Sequence, residues 1–150
     1  MARVTITRNI EAAADVVFQA VADPKQFAQA ISGVTRLDFL SPSASGVGTR
    51  FRQSRTLNGK EMTMDFEVTE YLPNQRVRIV NETHGTVWDS VFTVSPAASR
   101  TTLTMVMNTR SRPLIARLLM PVICLLIRKS VAKDIDAVKT YCERQTVPAA

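Results

Sequence analysis

Thr56-Leu57-Asn58-Gly59-Lys60-Glu61-Met62-Thr63-Met64-Asp65-Phe66-Glu67-Val68-Thr69-Glu70-Tyr71 is the stretch on which the fold turns. A two-residue type I′ turn needs positive φ at both central positions, and Asn-Gly supplies this best. After the turn, Met62, Met64, Phe66 and Val68 alternate with Thr63, Asp65, Glu67 and Thr69. A period of two with one apolar face marks a half-buried strand. The stretch therefore reads as the turn and second arm of an antiparallel hairpin.

The same period extends outward on both sides. Strands are expected at 3–8, 34–40, 49–57, 61–71, 76–83, 87–94 and 101–109, joined by turns at Pro73-Asn74, His84-Gly85 and 96–100. About seven strands linked by hairpins form an antiparallel sheet. Between the first two strands the period lengthens. Ala-rich 11–22, with Val17, Phe18 and Val21 on one stripe, predicts a helix that ends at Asp23-Pro24. A second short helix is expected at 25–30. The chain closes with one long helix over 113–145, whose Pro121 removes an internal hydrogen bond and predicts a kink. A sheet with so few helices must curl around the long one, which leaves room for a ligand between them.

The strand order, the helix positions and a set of short segments carry a resemblance. The segments are Ile10-Glu11-Ala12-Ala13-Ala14-Asp15-Val16-Val17-Phe18 with Asp23-Pro24, then Gly46-Val47-Gly48-Thr49-Arg50-Phe51, then residues 66–76, then Thr101-Thr102-Leu103-Thr104. Over nearly its whole length the chain resembles the START-like, or SRPBCC, superfamily, which includes polyketide cyclase and lipid-transport members. The resemblance implies an α+β helix-grip fold: a curved antiparallel sheet wrapped around a long C-terminal helix, with two short helices after the first strand. It also implies binding of an apolar small molecule or lipid in an internal cavity. Some members of the superfamily are cyclases or dehydratases, but no catalytic motif of a subfamily falls on this sequence.

The residues expected to line such a cavity follow from alternation on the strands and spacing on the helix. They are Met62, Met64, Phe66, Asn81, Trp88, Phe92, Met105 and Met107 on the sheet, with Leu118, Val122 and Leu126 closing from the helix. Methionine suits an irregular apolar wall, although it also fills ordinary cores. Asn81 falls in phase with Val77 and Ile79 and would orient a polar end of the ligand.

Catalytic and metal chemistry find little support. His84 is the single histidine, its neighbour Gly85 marks a turn, and neither cysteine has a ligand partner at metal spacing. No metal or cofactor is expected, and no catalytic residue is assigned. An enzyme of the cyclase or dehydratase kind would have to draw on His84, Asn81, Ser90 and Thr109, so the residues favour a carrier or sensor over an enzyme.

The 150 residues suit one domain and carry a net charge of +6. The excess sits at the end: from residue 110 onward there are eight Lys and Arg against Asp134, Asp136 and Glu143. With the apolar run 114–127 between these cations, residues 110–130 are the expected place of contact with a membrane surface or a partner protein. No zinc spacing, helix-turn-helix pattern or aromatic-basic interleaving points to nucleic acid. Cys124 and Cys142 lie about 27 Å apart on a helix, too far for a disulfide, so a reducing cytoplasmic setting without a signal peptide is expected. Oligomeric state is left open by the sequence.

Overall fold

The computed structural model describes residues 2–146. The elements are β1 (Ala2–Ile10), α1 (Ala14–Ala22), α2 (Pro24–Ala30), β2 (Val34–Phe39), β3 (Arg50–Leu57), β4 (Lys60–Leu72), β5 (Arg76–Thr83), β6 (Thr86–Ala97), β7 (Arg100–Ser111) and α3 (Leu114–Thr146). The strands form one antiparallel sheet in the order β1-β7-β6-β5-β4-β3-β2. It is open, with β1 and β2 at its edges. This is the helix-grip arrangement expected from the element order.

Local chemistry sets the turns. Asn58 and Gly59 both take positive φ, at 52° and 78°, and join β3 to β4 with Leu57 opposite Lys60. His84 and Gly85 do the same between β5 and β6, at 50° and 76°. Beside the same end of β3, Gly33 sits at φ 88° against the chain, and a Cβ there would lie 2.5 Å from the Thr56 carbonyl oxygen. Asp23 ends α1 and caps α2, its carboxylate accepting from the Lys25 N–H at 3.0 Å, with Pro24 in the first turn. α1 begins at Ala14 rather than at residue 11, because Ile10 to Ala13 still leave the strand extended and Ala12 N–H donates back to the Ile10 carbonyl.

The core lies where α1 and the second half of α3 press on the sheet. Phe18, Val17 and Val21 of α1 meet Ile135, Val138 and Cys142 of α3 and Ile6, Val77 and Leu103 of the sheet, all buried. Phe18 meets Tyr71 edge-on at 5.3 Å, and Phe27 meets Phe92 at 6.2 Å. α3 packs closely on β1, α1, α2 and the β7 strand. It runs unbroken through Pro121.

Candidate functional site

Ladder partners share a face of a sheet, so register shows which side chains stand together. Phe66 pairs with Asn81, Asn81 with Trp88, and Trp88 with Thr109, giving one row across the concave face. Phe51 extends that row and stacks on Phe66 at 5.1 Å. A second row runs Ile79, Ser90, Met107 and Val4. Met64 stands beside Gln53 in a third. The structure thus brings Met64, Phe66, Asn81, Trp88 and Met107 to one neutral surface.

These side chains are not all packed shut. Met64, Phe66, Ile79, Trp88, Ser90 and Met107 are half-buried. Met62 is 44% exposed and forms a rim beside Arg55 rather than a wall. Phe92 and Met105 are buried at 5% and 3%, in the core that includes Phe27's contact with Phe92, so they belong to the packing rather than to a lining surface.

The helix requires a correction. Leu118, Val122 and Leu126 were expected to close the cavity, but they are 74%, 60% and 63% exposed. The phase of α3 is set further along, where Ile135, Val138 and Cys142 are buried. Carried back at 3.6 residues per turn, the same face presents Met120, Ile123, Cys124, Ile127 and Val131 to the sheet. Leu118, Val122 and Leu126 lie on the opposite side of the helix.

Polar groups on the concave face are few and neutral. The Asn81 amide donates to the Asp65 carbonyl and to the Thr83 hydroxyl, both at 3.2 Å, which fixes its orientation. Gln53 is 5% exposed, yet its amide has no hydrogen-bond partner among the described residues. The Thr49 hydroxyl is the one side-chain polar atom, among those residues, sealed from solvent without a partner. The Gln53 amide therefore still reaches open space beside Met64. Alternation with Phe51 would have placed Gln53 on this face from the sequence, a signal masked by its polarity.

Charge is kept off this surface. Asp65, Arg78 and Asp89 project from the convex side, where Arg78 bridges Asp89 and Glu70 and its guanidinium is held further toward the charged form by those carboxylates. The Arg52 hydrogen bond holds the Asp65 carboxyl below the usual range. Arg55 does point inward, but Asp134 of α3 neutralises it. Of the groups proposed for catalysis, His84 is exposed at the β5–β6 tip, where the Gly85 carbonyl accepts from Arg112 N–H at the entrance to α3. Ser90 and Thr109 remain on the concave face. Among the described residues no three His, Cys, Asp or Glu side chains cluster as metal ligands would.

Two surface depressions lie elsewhere. One of about 400 Å³ is formed by 11–14 and 96–101, and one of about 430 Å³ lies between α2 and the end of α3, at Gln29, Tyr141 and Arg144. Neither includes a residue of the concave rows.

No curated protein matches the chain. Solved structures match the fold closely. A START superfamily protein from Mycobacterium smegmatis superposes with a TM-score of 0.80 at 14% identity, over 96% of this chain and 99% of its own. A protein from Thermus thermophilus gives 0.79 at 17% identity, over 97% and 100%. The di-domain ARO/CYC protein BexL of the BE-7585A biosynthetic pathway gives 0.75 at 16%, with 99% of this chain spanning 51% of that one. The sequence itself matches the family model described as polyketide cyclase / dehydrase and lipid transport over residues 1–143, and the chain belongs to that family.

Proposed function

We propose that the chain is a carrier or sensor that holds an apolar small molecule or lipid between the concave face of the sheet and the first half of α3. One observation carries this reading: the half-buried, uncharged side chains of Met64, Phe66, Trp88 and Met107 across neighbouring rows of one face, with the Gln53 amide, unpartnered among the described residues, at their side. Apolar walls with a few placed polar groups are what a ligand site for a weakly polar molecule requires. The family description, which names lipid transport, supports it. Contact with a membrane surface through residues 110–130 is part of the reading, because a lipid has to be collected somewhere. So is a cytoplasmic setting, where Cys124 and Cys142 stay reduced.

Native mass spectrometry and a Trp88 fluorescence titration with a long-chain fatty alcohol test it. Saturable quenching or enhancement at one site, lost in Met64→Trp, is expected. No bound species from the expression host and no Trp88 response to any apolar probe would refute the reading.

A second reading, a cyclase or dehydratase, draws on the likeness to one half of BexL. Such an enzyme must move protons with groups that titrate near the working pH. The groups available on the concave face are Gln53, Asn81, Ser90 and Thr109, all neutral amides and hydroxyls, so the carrier is preferred.

A further inference from the structure

The first half of α3 is apolar on both sides. Its inner face, with Met120 and Ile127, turns to the sheet, while Ile115, Leu118, Leu119, Val122, Leu125 and Leu126 are each between 51% and 74% exposed. At about 100° per residue these six fall within one arc on the outer side of the helix. Scattered exposed leucines need no explanation, but a contiguous patch does.

The charges around the patch say what it meets. Arg112 stands at its N-terminal end, Lys129 and Lys133 continue its stripe about one and two turns beyond Leu126, and Arg117 and Arg128 lie roughly 60–80° outside it, round the helix toward the inner side. All five are exposed, and none has a carboxylate in salt-bridge range among the described residues. No Asp or Glu occurs anywhere between Asp89 and Asp134. A second copy of this chain docking through a two-fold axis would bring the same cations against one another. An anionic lipid surface complements both features, taking the leucines into its acyl boundary and the cations among its headgroups. No helix among the described residues is long and apolar enough to cross a membrane; a helix with one exposed apolar face and cations beside it suits the interface plane.

We infer that the outer face of α3, from Ile115 to Leu126, docks on bilayers rich in anionic lipid, with Arg112, Lys129 and Lys133 held at the headgroups. This deepens the carrier reading and rests on it for its purpose: the same helix offers its outer side to the bilayer and its inner side to the ligand.

Sedimentation with vesicles tests the inference, using phosphatidylcholine alone and phosphatidylcholine mixed with phosphatidylglycerol. The protein is expected to pellet with the mixed vesicles at low salt, to bind neutral ones at least tenfold less, and to be released as salt screens the headgroups. Leu118→Ser/Leu126→Ser should lower binding more than tenfold with unchanged melting temperature, since both side chains are exposed. Lys129→Gln and Lys133→Gln should each weaken it about fivefold. Equal binding to both vesicle types, or binding unchanged in the serine variant, overturns the inference. So does wild-type self-association in sedimentation velocity that the serine variant abolishes without vesicle binding, since the occupant is then a second copy. The Trp88 titration without vesicles keeps the two readings apart: a response to fatty alcohol with no vesicle binding removes docking alone, and vesicle binding with no response removes the carrier alone.

Discussion

Arg55 on β3 and Asp134 on α3 form a two-pronged ion pair, Nη1 to Oδ2 at 2.8 Å and Nη2 to Oδ1 at 2.6 Å, with side chains only 11% and 15% exposed. The same guanidinium donates through Nε to the Ser32 carbonyl at 2.9 Å. One side chain thereby ties the sheet, the turn after α2 and the middle of the long helix together. Removing one partner of a largely buried pair strands the other charge. Asp134→Ala should therefore cost about 3 kcal/mol, or on the order of 10 °C in melting temperature. The double variant Arg55→Met/Asp134→Leu should recover most of the loss in the same calorimetric measurement. A double variant no better than the single would show that the pair itself, and not the avoided charge, carries the stability.

The Gln53 amide is expected to choose among ligands. Gln53→Leu should leave the melting temperature within about 1 °C and lower affinity for a fatty alcohol roughly tenfold, the value of one hydrogen bond in a dry site. Affinity for the alkane of the same length should hold or rise. Parallel losses for both ligands in the Trp88 titration would show that Gln53 shapes the wall without contacting a polar end.

Gly33 should tolerate no side chain. Gly33→Ala meets both a positive φ and the Thr56 carbonyl oxygen, which is backbone and has no room to yield because the Thr56 N–H donates to the Gly33 carbonyl at 2.8 Å. A loss of about 2 kcal/mol or more is expected by chemical denaturation. Gly46→Ala, whose Cβ would meet nothing within 4 Å, should bear only the cost of its positive φ and so lose less.

Alkaline stability should carry the mark of Cys142. Burial pushes its thiol up from an ordinary value of 9.0 to about 11. The folded protein then keeps a proton that the unfolded chain gives up above pH 9, so this contribution is intact below that point and falls as pH rises from about 9 to 11. Cys142→Ala should flatten that part of the stability profile in denaturant titrations. In native protein at about pH 8, a thiol reagent should label half-buried Cys124 first and Cys142 only on unfolding.

Strands were readable wherever a single face was apolar. Met62 to Val68 showed their alternation plainly, and Asn58-Gly59 and His84-Gly85 announced their turns because few other residues accept positive φ. The long helix was readable as a helix but not in its rotation. Between 114 and 127 apolar residues occupy every side, so periodicity there does not distinguish Leu118 from Met120. The rotation is decided by Asp134 reaching Arg55 and by Ile135, Val138 and Cys142 entering the core, and the ion pair joins residues 79 apart in sequence. Gln53 was overlooked for the opposite reason: a polar residue in an apolar phase reads as an interruption of the pattern, although its phase is that of Phe51.

The pairing of β1 bears on how the chain is made. β1 stands at the edge of the sheet, and its ladder partner is β7, with Ala2 opposite Thr109. The first strand to leave the ribosome therefore waits for the last, and α3 closes over both only after that. Until then Val4, Ile6 and the inner face of α1 have no place to be buried. A chain of this topology cannot complete its sheet before β7 is in place, and refolding from denaturant is expected to be slow for that reason.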